Sequence, residues 1–173
     1  MEECDSILRL IEIYEDDVFV YLVLEYQQQG SLLGQILKNR EFEEKQVKII
    51  MEQLLLALDF IHQKRIVHRD IKLDNVLINR IDEEEFNVKI ADFGLACFFP
   101  EDSNGLTEKC GTPCYVAPEI LRGEPYTTLC DMFSMGSLMF GLITGRYLFK
   151  GKDKQELLNN NKVCNLQRID RFL

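Results

Sequence analysis

The sequence predicts an α+β fold, mainly helical, with a small β-hairpin set among the helices. Three observations carry this. Apolar residues recur at helical spacing over 43–65, and a second run at 131–143 is apolar almost all round a helix. Short β-branched or aromatic runs stand at 18–24, 76–78 and 86–90. A chain of 173 residues is long enough to bury a sizeable core and reads as one domain or part of one. There is no internal repeat or linker, so no internal boundary is expected.

In order along the chain, residues 18–24 (VFVYLVL) hold no breaker and read as a buried strand, closed by the polar connector EYQQQG at 25–30. Over 43–65, Val47, Ile50, Met51, Leu54, Leu58 and Ile61 form one stripe. Acidic residues open that helix and His62, Lys64 and Arg65 close it, as the helix dipole favours. Residues 76–78 and 86–90 pair as a hairpin with a solvated tip at 80–85. From Leu95 to Pro118, Gly, Pro, Ser, Thr and Asn interrupt any period, and such long irregular segments in a compact domain are usually functional. The 131–143 helix is expected to be buried and to stop at Gly145. A weaker helix is expected over 152–159, and 160–173 shows no period.

Composition excludes several classes. With 20 Lys+Arg against 29 Asp+Glu the net charge is -9, which argues against a phosphate-backbone binder, so no nucleic-acid partner is expected. At 46% hydrophobic and 28% charged residues the chain is not disordered. Six cysteines without a C-x-x-C pair argue against a disulfide framework or a structural zinc site. The longest apolar stretch, Met132 to Ile143, is too short to cross a bilayer, so no membrane partner is expected. Reduced thiols and the absence of a visible targeting segment point to the cytoplasm or nucleus.

The chemistry concentrates in two polar loops that bracket the hairpin: His68-Arg69-Asp70-Ile71-Lys72-Leu73-Asp74-Asn75 and Asp92-Phe93-Gly94. Brought together, they offer two carboxylates, a lysine and an amide. That set suits a metal-phosphate substrate, with oxygen ligands for Mg²⁺, a cation for a transferring phosphoryl group and a carboxylate to accept a hydroxyl proton.

With Ala117-Pro118-Glu119 following in order, the chain resembles a eukaryotic serine/threonine protein kinase, loosely of the calcium/calmodulin-dependent group. The resemblance implies a kinase-like fold, ATP and Mg²⁺ as cofactors, and a protein substrate with a Ser or Thr acceptor. Asp70 corresponds to the catalytic base and Lys72 to the γ-phosphate contact. Asn75 and Asp92 correspond to the magnesium ligands. Leu24 corresponds to the gatekeeper, and Glu25, Tyr26 and Gln27 to the hinge that meets adenine. Leu32, Leu77, Leu138 and Leu142 resemble the apolar stack beneath it, a role that plain core packing would equally fill.

Asp131 is expected to hold the loop backbone, and Thr112 to bond Asp70 and Lys72. Arg69 faces a loop whose usual phosphothreonine position holds Glu108, so an unmodified carboxylate would pair with it. Ser103 and Thr107 remain candidate phosphosites. Cys110 reads first as an inert small residue, with a reactive thiol as the other reading. Asp74 favours basic substrates, whereas Ser31 and Gly141 lack the acids that would reinforce the preference.

The sequence departs from the family at its ends. No glycine-rich loop, strand lysine or αC glutamate precedes residue 18, so 1–173 reads as a partial catalytic domain. The match is clearest over 7–158, and 159–173 is unassigned. Activity of this chain alone is expected to be low, its remaining small-lobe strands are expected to expose an edge, and Glu119 is expected to lack its usual arginine. The alternative is a non-catalytic docking or scaffold module. A lipid or small-molecule kinase is disfavoured by the G-T-P-C-Y-V-A-P-E run at 111–119.

Overall fold

The computed structural model describes residues 4–38, 41–81, 86–102 and 104–166, with the side chains of Arg80 and Ile81 outside the description. The tip of the expected hairpin (82–85), Ser103 and the end of the tail lie outside the described residues. The fold is α+β and predominantly helical, with three two-stranded antiparallel sheets among the described residues.

Strands β1 (Leu10–Glu15) and β2 (Val20–Leu24) form the first hairpin. Its turn closes because Asp16 accepts the amides of Val18 and Phe19, both at 2.8 Å. The strand expected over 18–24 is therefore present but two residues shorter, and it is not buried. Every residue of both strands is exposed, Ile13 by 58% and Val20 by 63%. An unbroken apolar run predicts cover on both faces, but this sheet has two strands and nothing among the described residues lies over it.

Helix α1 (Leu32–Leu37) starts where Ser31 Oγ accepts the Gly34 amide at 3.1 Å. Helix α2 (Glu44–Gln63) opens with a reciprocal capping box between Glu43 and Gln46. Its stripe of Val47, Ile50, Met51, Leu54, Ala57, Leu58 and Ile61 is buried as the periodicity predicts. Strands β3 (Ile66–Val67), β4 (Val76–Ile81) and β5 (Phe86–Ile90) follow, then β6 (Cys97–Phe98). The β4–β5 hairpin packs on α2, and Gln53 fixes its register by donating to the Phe86 carbonyl while accepting the Val88 amide. β6 returns to pair with β3.

Helix α3 (Pro118–Arg122) starts on proline and ends at Gly123 with φ 76°, a left-handed stop that glycine adopts without strain. Helix α4 (Leu129–Thr144) buries Asp131, Ser134, Met135, Ser137, Leu138 and Leu142. It is not buried all round as expected: Met132, Met139 and Ile143 face outward. Helix α5 (Lys154–Lys162) runs three residues past the predicted end, so 160–162 belong to an element and not to a structureless tail. The main core lies among α1, α2, α4 and the β4–β5 hairpin, and a second small cluster around Val67, Val116, Ile120 and Tyr126 sits under the long loop.

Candidate active site

The 68–75 loop is held from within by α4. Asp131, fully buried, accepts the His68 amide at Oδ2 and the Arg69 amide at Oδ1, both at 2.8 Å, and its Oδ2 lies 2.9 Å from His62 Nε2. These bonds sustain Arg69 at φ 66°, a left-handed conformation that costs a residue with a Cβ. The expected contact of Asp131 with the loop backbone is thus made by both carboxylate oxygens.

His68 is also fully buried. Its Nδ1 accepts the Asp70 amide at 3.2 Å, which leaves Nε2 to donate to the Ala91 carbonyl at 3.1 Å. Burial holds the imidazole below its ordinary pKa and outweighs the opposing pull of Asp131, the Ala91 carbonyl, Asp70 and Asp92. A neutral ring is what this bonding pattern requires.

Asp70 gathers three of the residues named from the sequence. Lys72 Nζ donates to its Oδ2 at 2.6 Å, Thr112 Oγ1 to its Oδ1 at 2.6 Å, and Asn75 Nδ2 to its Oδ2 at 3.1 Å and its carbonyl at 3.0 Å. Lys72 also donates to Thr112 Oγ1 at 3.1 Å. Burial alone pushes the Asp70 carboxyl up. The hydrogen bonds from Lys72 and Thr112, the Lys72 charge and the Asn75 bond outweigh it and hold the group below the usual carboxylate value. The result is a buried carboxylate acceptor beside the half-buried ammonium of Lys72.

With Nδ2 committed to Asp70, the Asn75 Oδ1 is the amide atom left to accept. The Ala91 amide donates to the Asn75 carbonyl at 2.8 Å, which draws the 92–94 loop against the 68–75 loop. Asp92 is exposed, at φ 59°, and its Oδ1 accepts the Gly94 amide at 3.2 Å. A Cβ on Gly94 would lie 3.0 Å from that oxygen, so glycine permits the approach. Among the described residues no cluster of three or more His, Cys, Asp or Glu side chains could hold a metal. The donor set here, one amide oxygen and one carboxylate, fits Mg²⁺, which typically takes one or two protein carboxylates together with water and phosphate oxygens.

Arg69 reaches the other way, into the long loop. Its Nε donates to the Leu95 carbonyl at 2.6 Å and its Nη1 to Glu108 Oε2 at 2.7 Å and Tyr126 Oη at 3.3 Å. The Tyr126 hydroxyl in turn donates to the Glu108 carbonyl at 2.7 Å. Burial lowers the guanidinium pKa, but the bonds with Tyr126 and Glu108 raise it further. The Glu108 side chain is 71% exposed against 8% for Arg69, so solvent screens the pair and its value lies in fixing the loop more than in stabilising the fold. The loop is further held by β3–β6 pairing at one end and by paired backbone bonds between Leu106 and Tyr126 at the other.

The residues expected at adenine from the resemblance sit apart from this network. Leu24 is half-exposed and Tyr26 is 82% exposed, while Gln27 is buried with its Oε1 unpartnered. The Glu25 carboxylate turns to Lys89 Nζ at 2.9 Å and the Arg9 amide at 2.7 Å. Leu77, half-buried on β4, bridges to Ser31, and Leu32, Leu138 and Leu142 are core residues. Among the described residues no hydrogen bond joins Leu24 to Gln27 with the Asp70 group. Glu119 makes no ion pair among the described residues, and Cys110 Sγ lies 3.8 Å from the Tyr126 hydroxyl. Asp74 is exposed within the 68–75 loop.

Three residues that sequence reasoning did not single out support the segment after Thr112. Asn161 Nδ2 donates to the Pro113 carbonyl at 2.8 Å and the Val116 carbonyl at 2.9 Å. Ser137 donates to the Cys114 carbonyl and Ser134 to the Tyr115 carbonyl, both at 2.9 Å. Two serines three apart in an apolar helix were the available signal for the α4 pair. Asn161, in a run of asparagines, offered none.

An α+β lobe in which a buried aspartate from a central helix holds an H-R-D loop against a D-F-G loop is kinase-like. The family model described as the protein kinase domain matches residues 1–172. The chain is 38% identical over 160 residues to probable serine/threonine-protein kinase 2 of Plasmodium falciparum, covering 92% of this chain and 31% of that protein. It is 38% identical over 169 residues to serine/threonine-protein kinase DCLK3 of Mus musculus, covering 96% and 21%. It is 41% identical over 154 residues to calcium-dependent protein kinase 5 of Plasmodium falciparum, covering 88% and 26%. This chain belongs to the protein kinase domain family, and it spans less than a third of the length of these three relatives.

Proposed function

We propose that the protein transfers the γ-phosphoryl group of ATP to a Ser or Thr hydroxyl of a protein substrate. The observation that carries this reading is the Asp70 carboxylate, which accepts from Lys72 and Thr112 at 2.6 Å each. In that role Asp70 orients the acceptor hydroxyl and takes its proton, and Lys72 meets the charge that develops on the transferring group. Asn75 through Oδ1 and Asp92 would hold Mg²⁺, which supplies charge neutralisation at the phosphate oxygens. The backbone of Glu25 to Gln27, with Leu24 and Leu77 beside it, is the place for adenine.

Exposed Asp74, with the net charge of -9, supports a preference for basic residues in the substrate. Six unpaired cysteines support a reducing compartment, the cytoplasm or nucleus. The second reading, a docking module, draws its support from the exposed apolar residues of β1 and β2.

The test is transfer of labelled phosphate from ATP with Mg²⁺ to a degenerate Ser/Thr peptide library by the native polypeptide. Asp70→Asn is expected to cut the rate by at least about a hundredfold while leaving the unfolding midpoint within a few degrees. No transfer by the unsubstituted protein would refute the kinase reading and favour the docking module. Transfer without Arg or Lys enrichment would remove the basic preference alone.

A further inference from the structure

Residues 113–116 form a turn whose four consecutive carbonyls are all taken by side chains: Pro113 and Val116 by Asn161, Cys114 by Ser137 and Tyr115 by Ser134. The turn is closed on its inner side by the amides of Tyr115 and Val116, which both donate to the Thr112 carbonyl at 2.9 Å. Thr112 is the residue whose hydroxyl reaches Asp70. Whatever fixes this turn therefore fixes the position of Thr112 against the candidate base.

The two serines belong to α4, which is rooted in the core. Asn161 belongs to α5, a helix whose Leu157 and Leu158 are half-buried, and it is the fully buried residue of that helix, at 0% exposure. Its amide spans both ends of the turn with one nitrogen, and its Oδ1 is left buried without a partner. An orphaned buried oxygen is costly, and a residue there for packing alone would be apolar. What the amide contributes that a leucine would not is the pair of bonds to the turn. The same end of α5 is tied to α3 by a further bond, Arg122 Nη1 donating to the Lys162 carbonyl at 3.2 Å, so Asn161 does not hold the helix there alone.

We propose that Asn161 is a positioning residue for peptide phosphorylation: its two bonds set the 113–116 turn so that Thr112 stays on Asp70 and the acceptor segment of a peptide is seated beside them. The inference rests on the kinase reading above for its substrate. It assigns to a helix outside the H-R-D and D-F-G loops a part in substrate placement.

The test compares the native polypeptide with Asn161→Ala and with Asn161→Ser, which keeps one donor and leaves a smaller hole, so that a folding failure of the first does not end the experiment. Two readouts are taken well below the unfolding midpoint of each variant. The first is amide hydrogen exchange over 112–116. The second is the set of KM for peptide, KM for ATP and kcat. The expected result is faster exchange of the Tyr115 and Val116 amides and a fall of about tenfold in kcat/KM for peptide, with KM for ATP unchanged and Asn161→Ser intermediate.

Unchanged exchange over 112–116 would overturn the proposal whether or not the protein is active. Faster exchange with unaltered peptide kinetics would overturn it as well, leaving Asn161 a structural residue. An inactive unsubstituted protein would instead refute the kinase reading and with it any part for Asn161 in peptide phosphorylation, while the exchange arm still decides whether the residue sets the turn.

Discussion

Replacing Asp131 by Asn tests the argument that one buried carboxylate organises the 68–75 loop. The side chain keeps its shape but retains one acceptor oxygen where the amides of His68 and Arg69 now use two. One amide is left facing an NH₂ group, and an unpaired buried donor costs about 1–3 kcal/mol. The surviving bond loses its charge assistance, worth about 1 kcal/mol more. The sum is about 2–4 kcal/mol. For a domain of this size, where 1 kcal/mol moves the midpoint by about 2–4 °C, the melting temperature should fall by roughly 5–15 °C.

Relaxation of Arg69 out of its φ of 66° would recover part of that strain. It would also withdraw the guanidinium from Leu95 and Glu108, so the loss would reappear in activity. Thermal unfolding by circular dichroism, with amide exchange read at 68–70, is the assay. A midpoint within 2 °C of the parent, with the His68 and Arg69 amides still protected, would show that the loop is held by something other than Asp131.

Two further predictions follow from the same network. Glu108→Lys places a cation opposite Arg69 and should lower kcat about tenfold or more, since loop placement is lost and like charges meet, whereas phosphatase treatment should leave the parent activity unchanged; loss of activity on phosphatase treatment would show that a phosphosite such as Thr107, and not Glu108, carries the tie to Arg69. His68 has a folded pKa depressed by burial, so the unfolded chain binds more protons near its ordinary value of 6.5. The stability it contributes is full above that pH and is lost as pH falls below it. His68→Gln should flatten the stability curve below about pH 6.5, measured by urea midpoints, and a slope unchanged by the substitution would remove His68 as its source.

Much of this was legible because two kinds of signal reach sequence level. Helix α2 was visible in its stripe and capping acids, and the β4–β5 hairpin in its two short β-branched runs. The meeting of Asp70, Lys72 and Thr112, and of Arg69 with Glu108, was legible through resemblance, because spacing alone does not bring residues about 40 positions apart into contact. Burial was misread where composition stood in for partners. The 18–24 run has the apolar character of a covered strand, and Met132, Met139 and Ile143 complete an apolar helix, yet cover depends on what packs against them. The cradle of Ser134, Ser137 and Asn161 stayed hidden because side chain to backbone bonds impose no periodicity.

The division between these two regions has a mechanical consequence. The β1–β2 hairpin hangs on β5 through backbone bonds of Ser6 and Leu8 to Ile90 and through Glu25 with Lys89. The Asp70 network runs from His62 to Asn161 on α2, α4, α5 and the long loop, and borrows nothing from residues 10–24. A hairpin with both faces exposed opens at low free-energy cost, whereas a loop whose amides end on a fully buried carboxylate opens only with the core. Opening the hairpin would displace Leu24 and the Glu25 to Gln27 connector while leaving Asp70, Lys72 and Thr112 in register. Nucleotide affinity and activation of the acceptor hydroxyl should therefore respond to different substitutions, the first to Glu25 and Lys89 at the root of the hairpin and the second to Asp131 and Thr112.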